Sequence, residues 1–218
     1  MEYHKINQDD LKVLSSYISD PARFITNPTT HWDHDQFKTV RAMPDLVIQP
    51  VTNEEVQKVV KYASDHNIPI VPRGNSTDLM GANLTDEVDF CVPINHIPDV
   101  LHRVDELEKK TGMRIPNFGQ AGDGNLHIYL CSDNMSDAEY KEKSDKVITE
   151  LYKTAKALDG NMSGEYGIGY ARKDWFEWYY GEDYTNLLRK IKKVFDPNSV
   201  LNPDKIFPLK DNTKLTIM

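Results

Sequence analysis

Two glycine-rich polar segments hold the residues of this chain best suited to chemistry. Residues 117–127 read Asn-Phe-Gly-Gln-Ala-Gly-Asp-Gly-Asn-Leu-His, and residues 163–169 read Ser-Gly-Glu-Tyr-Gly-Ile-Gly. Gly119, Gly122, Gly124, Gly164, Gly167 and Gly169 are six of only 11 glycines in the 218 residues. Glycine allows φ > 0 and lets a ligand approach the backbone. Glycines interleaved with Asp123, Asn125, His127 and Glu165 therefore point to a polar site. The plainer reading is that Asp123-Gly124 and Gly124-Asn125 are turn dipeptides, His127 one face of a strand and Glu165 a solvated side chain. Two such segments flanking one helical stretch favour the site.

A second stretch could hold an anion. The apolar run 68–71 reads as a strand and leads into Pro72-Arg73-Gly74-Asn75-Ser76-Thr77. A loop of this composition at the carboxyl end of a strand can turn backbone N–H groups toward a phosphate, with Arg73 adding charge. No Gly-Lys-Ser/Thr ends it, and Gly-x-Gly-x-x-Gly is absent, so it is neither a Walker A loop nor a dinucleotide fingerprint. His31 and His34 have metal-ligand spacing, but in a loop without further ligands they make a poor site.

The elements that must position these residues follow from periodicity. Leu11, Leu14 and Ile18 mark a short helix over 9–18, and 20–44 reads as loop or extended chain. Leu46-Val47-Ile48 predicts a strand. Thr52-Asn53-Glu54-Glu55 has the pattern of a capping box ahead of a helix with Val56, Val59, Val60 and Ala63 on its apolar face. With the strand at 68–71 this predicts a βαβ unit with parallel strands. Residues 89–94 predict another strand. Pro98 opens a helix that carries Val100, Leu101, Val104 and Leu107 and ends at Gly112. Strands over 114–118 and 126–131 flank the glycine turn. Ser136-Asp137-Ala138-Glu139 caps a helix that buries Val147, Ile148, Leu151 and Ala155. The aromatic cluster 174–180 is expected to pack inward. Tyr184, Leu187, Leu188, Ile191 and Val194 mark the last helix, and 208–218 a frayed tail.

Composition narrows the function classes. The net charge is −8, from 26 Lys and Arg against 34 Asp and Glu. This disfavours nucleic acid and anionic membrane surfaces as partners, which call for clustered cations. No apolar run approaches the ~20 residues of a membrane helix. The first ten residues lack a signal-peptide core, and Cys91 and Cys131 are too few for a disulfide framework. A cytoplasmic location is the resulting expectation.

Four separated segments together resemble one family, the FAD-linked oxidases of the glycolate oxidase, D-lactate dehydrogenase and D-2-hydroxyglutarate dehydrogenase type, within the vanillyl-alcohol-oxidase superfamily. The stretch 44–50 with the following helix and 70–74 resembles the start of the family's FAD domain. Residues 118–127 resemble its FGHxGDGNLH, residues 163–169 its SGEHGIG, and residues 195–206 its FDPNxxLNPGKI, with Asp204 in place of the glycine. Gln120 stands where the family has the first His, and Tyr166 where it has the His proposed as general base.

The resemblance implies an α+β fold: an N-terminal βαβ fragment of a FAD-binding domain over 1–83, and a ferredoxin-like C-terminal domain with an antiparallel sheet and helices over 84–207, ahead of the tail 208–218. Against the family the chain reads as internally shortened. The implied activity is oxidation of D-2-hydroxy acids of the lactate or glycolate kind, with hydride passing to FAD. Pro72, Arg73, Gly74, Asn75, Ser76, Thr77 and Asn202 would hold the cofactor. Tyr166 and Asn125 would take the catalytic positions, and His127, Glu165 and Gln120 the positions that ligate a divalent metal such as zinc. The alternative is a non-catalytic paralogue that binds flavin weakly or not at all. Expected partners are a small 2-hydroxy acid and, from exposed sheet edges, a second copy of the chain.

Overall fold

The computed structural model describes residues 3–33, 42–73, 87–133 and 135–207. The N-terminal part begins with helix α1 (Gln8–Ser15). Asn7 caps it, accepting from the N–H groups of Asp9 and Asp10, while the Asp10 side chain accepts from Asn7 N–H. This reciprocal pair satisfies donors that a helix start leaves bare. Strand β1 (Phe24–Ile25) then pairs with β2 (Val47–Ile48), and helix α2 (Asn53–Asp65) follows.

Two local expectations are corrected here. Strand β2 pairs antiparallel with β1, and Ile70 makes a parallel bridge with Leu201. The strands on either side of α2 therefore find partners elsewhere in the chain, although the β–α–β order is present. Thr52 caps α2 by accepting from Glu55 N–H. The Glu55 carboxylate takes both nitrogens of the Arg23 guanidinium, at 2.7 and 2.9 Å, and the N–H of Val51 at 2.8 Å. A bidentate guanidinium outcompetes the helix cap for this carboxylate.

The C-terminal part is a β–α–β–β–α unit extended by two helices. Strand β3 (Glu87–Cys91), helix α3 (Ile97–Thr111), strands β4 (Asn117–Gln120) and β5 (Asn125–Tyr129) and helix α4 (Asp137–Ala157) follow in order. The sheet is antiparallel throughout, with β5 in the centre. This is the strand arrangement of a ferredoxin-like split unit. Helix α3 stops at Gly112, which takes φ +68°, as a left-handed helix end requires.

Strand alternation assigns the two faces of the sheet. Val88, Phe90, Leu126 and Ile128 point to one face and form a core with Val100, Val104 and Leu107 of α3 and Val147, Ile148 and Leu151 of α4. The other face carries Glu87, Asp89, Asn125 and His127, all buried. Residues 163–172 contact that polar face through Asp89, His127 and Glu87.

Helices α5 (Lys173–Tyr180) and α6 (Glu182–Phe195) complete the fold. Trp175, Phe176 and Tyr179 are buried, so the aromatic cluster does pack inward. Trp175 Nε1 donates to Thr149 Oγ1, and the Tyr179 hydroxyl to Gly160 O, so the polar tips of buried rings are satisfied. The chain then runs past Ile70, and Ile206 N–H donates to Gly169 O. The 200–206 segment thus ties the N-terminal part to the end of the second glycine segment. Among the described residues, no helix is long and apolar enough to cross a membrane.

Candidate functional site

The site is built on one carboxylate. Asp89 sits in the middle of β3 with no solvent exposure. Its Oδ2 accepts from the backbone N–H groups of Gly164, Glu165 and Tyr166 at 3.0, 3.0 and 2.9 Å, and from Ser163 Oγ at 3.1 Å. Three consecutive N–H groups aimed at one oxygen form an anion nest, here filled by the chain's own side chain. Ser163 Oγ in turn accepts from Gly167 N–H. Gly164 is required at its position. A Cβ there would lie 2.2 Å from Asn125 Oδ1 and 2.7 Å from Asp89 Oδ1.

The far end of the loop is held by Arg172, which is buried. Its guanidinium donates to Glu87 O at 2.6 Å and to Gly167 O at 3.1 Å. Pinned at both ends, the 163–169 loop brings Glu165 and Tyr166 over β5. The Tyr166 ring stacks on the His127 imidazole with centroids 4.8 Å apart, and Phe118 from β4 lies 5.3 Å away.

The expected metal-site residues converge. His127 Nε2 lies 3.1 Å from Gln120 Oε1 and 3.2 Å from Glu165 Oε1, and Gln120 Nε2 donates to Glu165 Oε1 at 3.1 Å. Hydrogen bonds make two sides of this triangle, and the third is the 3.2 Å approach of Glu165 to the imidazole. With Nε2–H donating to Gln120 Oε1, the nitrogen has no lone pair to offer, and an amide is a weak zinc donor. The three residues as they stand do not fit zinc. Among the described residues, no group of three or more His, Cys, Asp and Glu is arranged to hold a metal.

Behind the imidazole the environment is acidic. His127 Nδ1 lies 3.2 Å from Glu87 Oε1 and 3.7 Å from Asp89 Oδ1. Asp89 Oδ1 and Asn125 Oδ1 are buried acceptors without a hydrogen-bond partner among the described residues. Burial pushes the Glu87 carboxyl upward, opposed by the Tyr129 hydroxyl and by His127. Burial, then Glu87 and Glu165, also raise the Tyr166 phenol. An upward shift from an already high phenol pKa keeps the proton on Tyr166 at neutral pH. Asn125, expected as a catalytic residue, is buried, with its Oδ1 where a Cβ on Gly164 would stand.

Of the expected cofactor residues, Pro72, Arg73 and Asn202 are described, and Gly74, Asn75, Ser76 and Thr77 lie outside the described residues, as does His34. Ile70 and the segment leading to Asn202 are joined: Ile70 N–H donates to Val200 O and Asn202 N–H to Ile70 O. The Arg73 guanidinium donates to His31 O at 2.9 Å and stacks over Trp32 at 5.3 Å. Its charge is thus turned to the protein's own chain.

Sequence reasoning missed Asp89 and Arg172. Asp89 left one local signal, its alternation with Val88 and Phe90 along a strand. Arg172 left none, because the groups that fix it lie as far as 85 residues away along the chain.

Comparison with known proteins gives this geometry a lineage. The family described as FAD linked oxidases, C-terminal domain, matches residues 75–206, more than half of the chain. A D-lactate dehydrogenase from Anaerostipes hadrus is 41% identical over 123 residues, covering 56% of this chain and 26% of that protein. A D-2-hydroxyglutarate dehydrogenase from Stutzerimonas stutzeri is 32% identical over 122 residues, 55% of this chain and 26% of the relative. The glycolate oxidase subunit GlcD from Bacillus subtilis is 30% identical over 129 residues, 59% and 27%. The matched stretch spans about a quarter of each of these relatives. The two glycine segments that build the site both lie inside the matched region, and the chain belongs to the FAD-linked oxidases through their C-terminal domain.

Proposed function

We propose that this chain supplies the substrate side of a FAD-linked oxidation of a small D-2-hydroxy acid, with the site at Glu165, Tyr166, His127 and Gln120. One observation carries the reading. Two glycine segments remote in sequence meet so that a half-exposed carboxylate, Glu165, and a protonated phenol, Tyr166, sit together over a buried imidazole. The relatives named as dehydrogenases or oxidases of D-lactate, glycolate and D-2-hydroxyglutarate give the substrate class.

In this reading Glu165 accepts the proton of the substrate hydroxyl. Gln120 Nε2 holds that carboxylate by a hydrogen bond, with the His127 imidazole 3.2 Å from it, as a positioned base requires. The Tyr166 hydroxyl donates to the substrate carboxylate. Phe118 and Tyr166 cover the imidazole with rings that exclude water. FAD, when bound, would supply the hydride acceptor. The domain boundaries proposed with it are 1–83 for the flavin-side fragment and 84–207 for the substrate side.

A second reading is favoured by the closed triangle of Gln120, His127 and Glu165. A non-catalytic paralogue would keep the folded site and lack turnover. Flavin titration separates the readings. The substrate-side account predicts colourless purified protein, weak FAD binding, and chemical-shift changes at Glu165 and Tyr166 on adding D-lactate or D-2-hydroxyglutarate. Stoichiometric yellow flavin surviving gel filtration would show that the chain holds the cofactor itself. Absence of any hydroxy-acid response would leave the non-catalytic reading.

A further inference from the structure

A buried cation lies outside the candidate site. Lys173 opens helix α5 and is only 6% exposed. A helix start disfavours a positive side chain, and a buried ammonium needs an anion beside it. Asp204 supplies one: Lys173 Nζ donates to Asp204 Oδ2, on a side chain that is 19% exposed. Lys173 Nζ also lies 3.8 Å from the centroid of the Tyr170 ring, and Lys205 Nζ lies 5.1 Å from the same centroid. The two ammonium groups are therefore at most 8.9 Å apart, the sum of those distances. Lys205 is half-buried, and among the described residues it has neither a hydrogen-bonding partner nor an ion pair. Burial lowers its ammonium, Asp204 opposes that shift, and Lys173 reinforces it.

Asp204 is itself out of pattern. The family motif has glycine at this position, and Asp204 takes φ +62°, a left-handed conformation that glycine adopts freely. Two residues on, Ile206 N–H donates to Gly169 O, so this corner adjoins the end of the second glycine segment. The backbone at 204 suits a residue without a side chain, and the side chain present is a carboxylate on a buried lysine. We propose that Lys173, Lys205 and Tyr170 form a carboxylate-binding site, which Asp204 fills from within and which takes a small external carboxylate when residue 204 carries none. A glycine at 204 would leave Lys173 buried without a counter-ion and vacate the volume of the lost side chain. Formate and acetate match the lost group in charge and in their planar pair of acceptor oxygens. The site does not depend on the one at Glu165 and Tyr166. Formate and acetate carry no hydroxyl, which keeps the two tests apart.

The test is thermal unfolding of the whole chain in sodium formate or acetate against sodium chloride at equal ionic strength. Wild type sets the general effect of each salt. Asp204→Gly should unfold at a lower temperature than wild type in chloride. A carboxylate concentration of about 100 mM should raise its Tm by roughly 3–6 °C more than that of wild type, the effect of about ten times a dissociation constant on the order of 10 mM. If the variant is unfolded in chloride, the same series reads recovery of its circular dichroism spectrum. Asp204→Asn keeps the side-chain volume, fills the site and should show no excess. D204G/K173M has no buried ammonium to pair and should show none, and D204G/K205M should need about threefold more carboxylate. No excess in Asp204→Gly would overturn the proposal. So would an equal excess in Asp204→Asn or D204G/K173M, or an unchanged carboxylate dependence in D204G/K205M.

Discussion

Removing the Asp89 carboxylate should uncouple the second glycine segment from the sheet. In Asp89→Ala three backbone N–H groups and one hydroxyl lose their common acceptor. A hydrogen bond to a charged group contributes about 1.5–3 kcal/mol net, and an orphaned buried donor costs about 1–3 kcal/mol. Adding four such bonds would overshoot, because the loop can swing outward and let water replace the carboxylate. The lower figure of about 1 kcal/mol for each of three N–H groups gives a loss of about 3 kcal/mol. With a slope of about 2–3 kcal/mol per molar urea, the midpoint falls by about 1–1.5 M. Asp89→Asn keeps one acceptor oxygen and loses only the charge assistance, about 1–2 kcal/mol. Urea unfolding gives the magnitudes. Amide exchange gives the location, with protection lost first at Gly164, Glu165 and Tyr166. An Asp89→Ala protein within about 0.5 kcal/mol of wild type, with those three amides still protected, would refute the claim that Asp89 holds the loop.

The remaining predictions concern the ion pair, the glycines and the metal triangle. The Arg23 guanidinium, followed by Val51 N–H, lowers the Glu55 carboxyl to about 2. A depressed carboxyl stabilises the fold above its unfolded pKa of about 4.3 and loses that contribution as pH falls toward 2. Arg23→Ala should therefore lower Tm at pH 7 and flatten its decline between about pH 4.5 and 2; an unchanged acid limb in the Tm profile would contradict this. Gly124 takes φ +76°, and a Cβ there would lie 1.9 Å from Val92 O. Gly124→Ala should cost about 3 kcal/mol, whereas Gly122→Ala, with nothing within 4 Å of its Cβ, should stay within about 0.5 kcal/mol in thermal unfolding. Gln120→His with Tyr166→His replaces a closed amide by an imidazole beside His127 and Glu165, and should tighten zinc binding by roughly 10–100-fold in calorimetry. Equal affinity in parent and variant would mean that these side chains do not share a centre.

What could be read in the sequence was local. Pro98 and Gly112 bracket α3, Ser136 caps α4, and the glycine turn joins β4 to β5, because caps and turns are decided by neighbours along the chain. The two glycine segments stand out in the sequence, and His127, Gln120 and Glu165 do meet in the fold. What was illegible is long-range. The antiparallel partner of β2 lies some twenty residues upstream, and the bridge from Ile70 reaches Leu201. Asp89 and Arg172 act through backbone groups about 75 and 85 residues away. Backbone N–H and C=O groups are the same at every position, so no residue pattern announces such a pairing. Tyr166 illustrates a related limit. Its residue type was plain, yet the upward shift of its phenol depends on burial and on the carboxylates of Glu87, Glu165 and Asp89, which only the fold brings near.

The measurement that bears most directly on the account is hydroxy-acid binding at the meeting point of the two segments. The ring and side-chain resonances of His127, Tyr166 and Glu165 are followed by NMR during titration with D-lactate and D-2-hydroxyglutarate. The account predicts saturable shifts centred on these three residues. Tyr166→Phe and Glu165→Gln should each weaken the response about tenfold, the effect of one lost polar contact of about 1.4 kcal/mol. Shifts scattered over the surface, or an equal response in both variants, would contradict the assignment of this site.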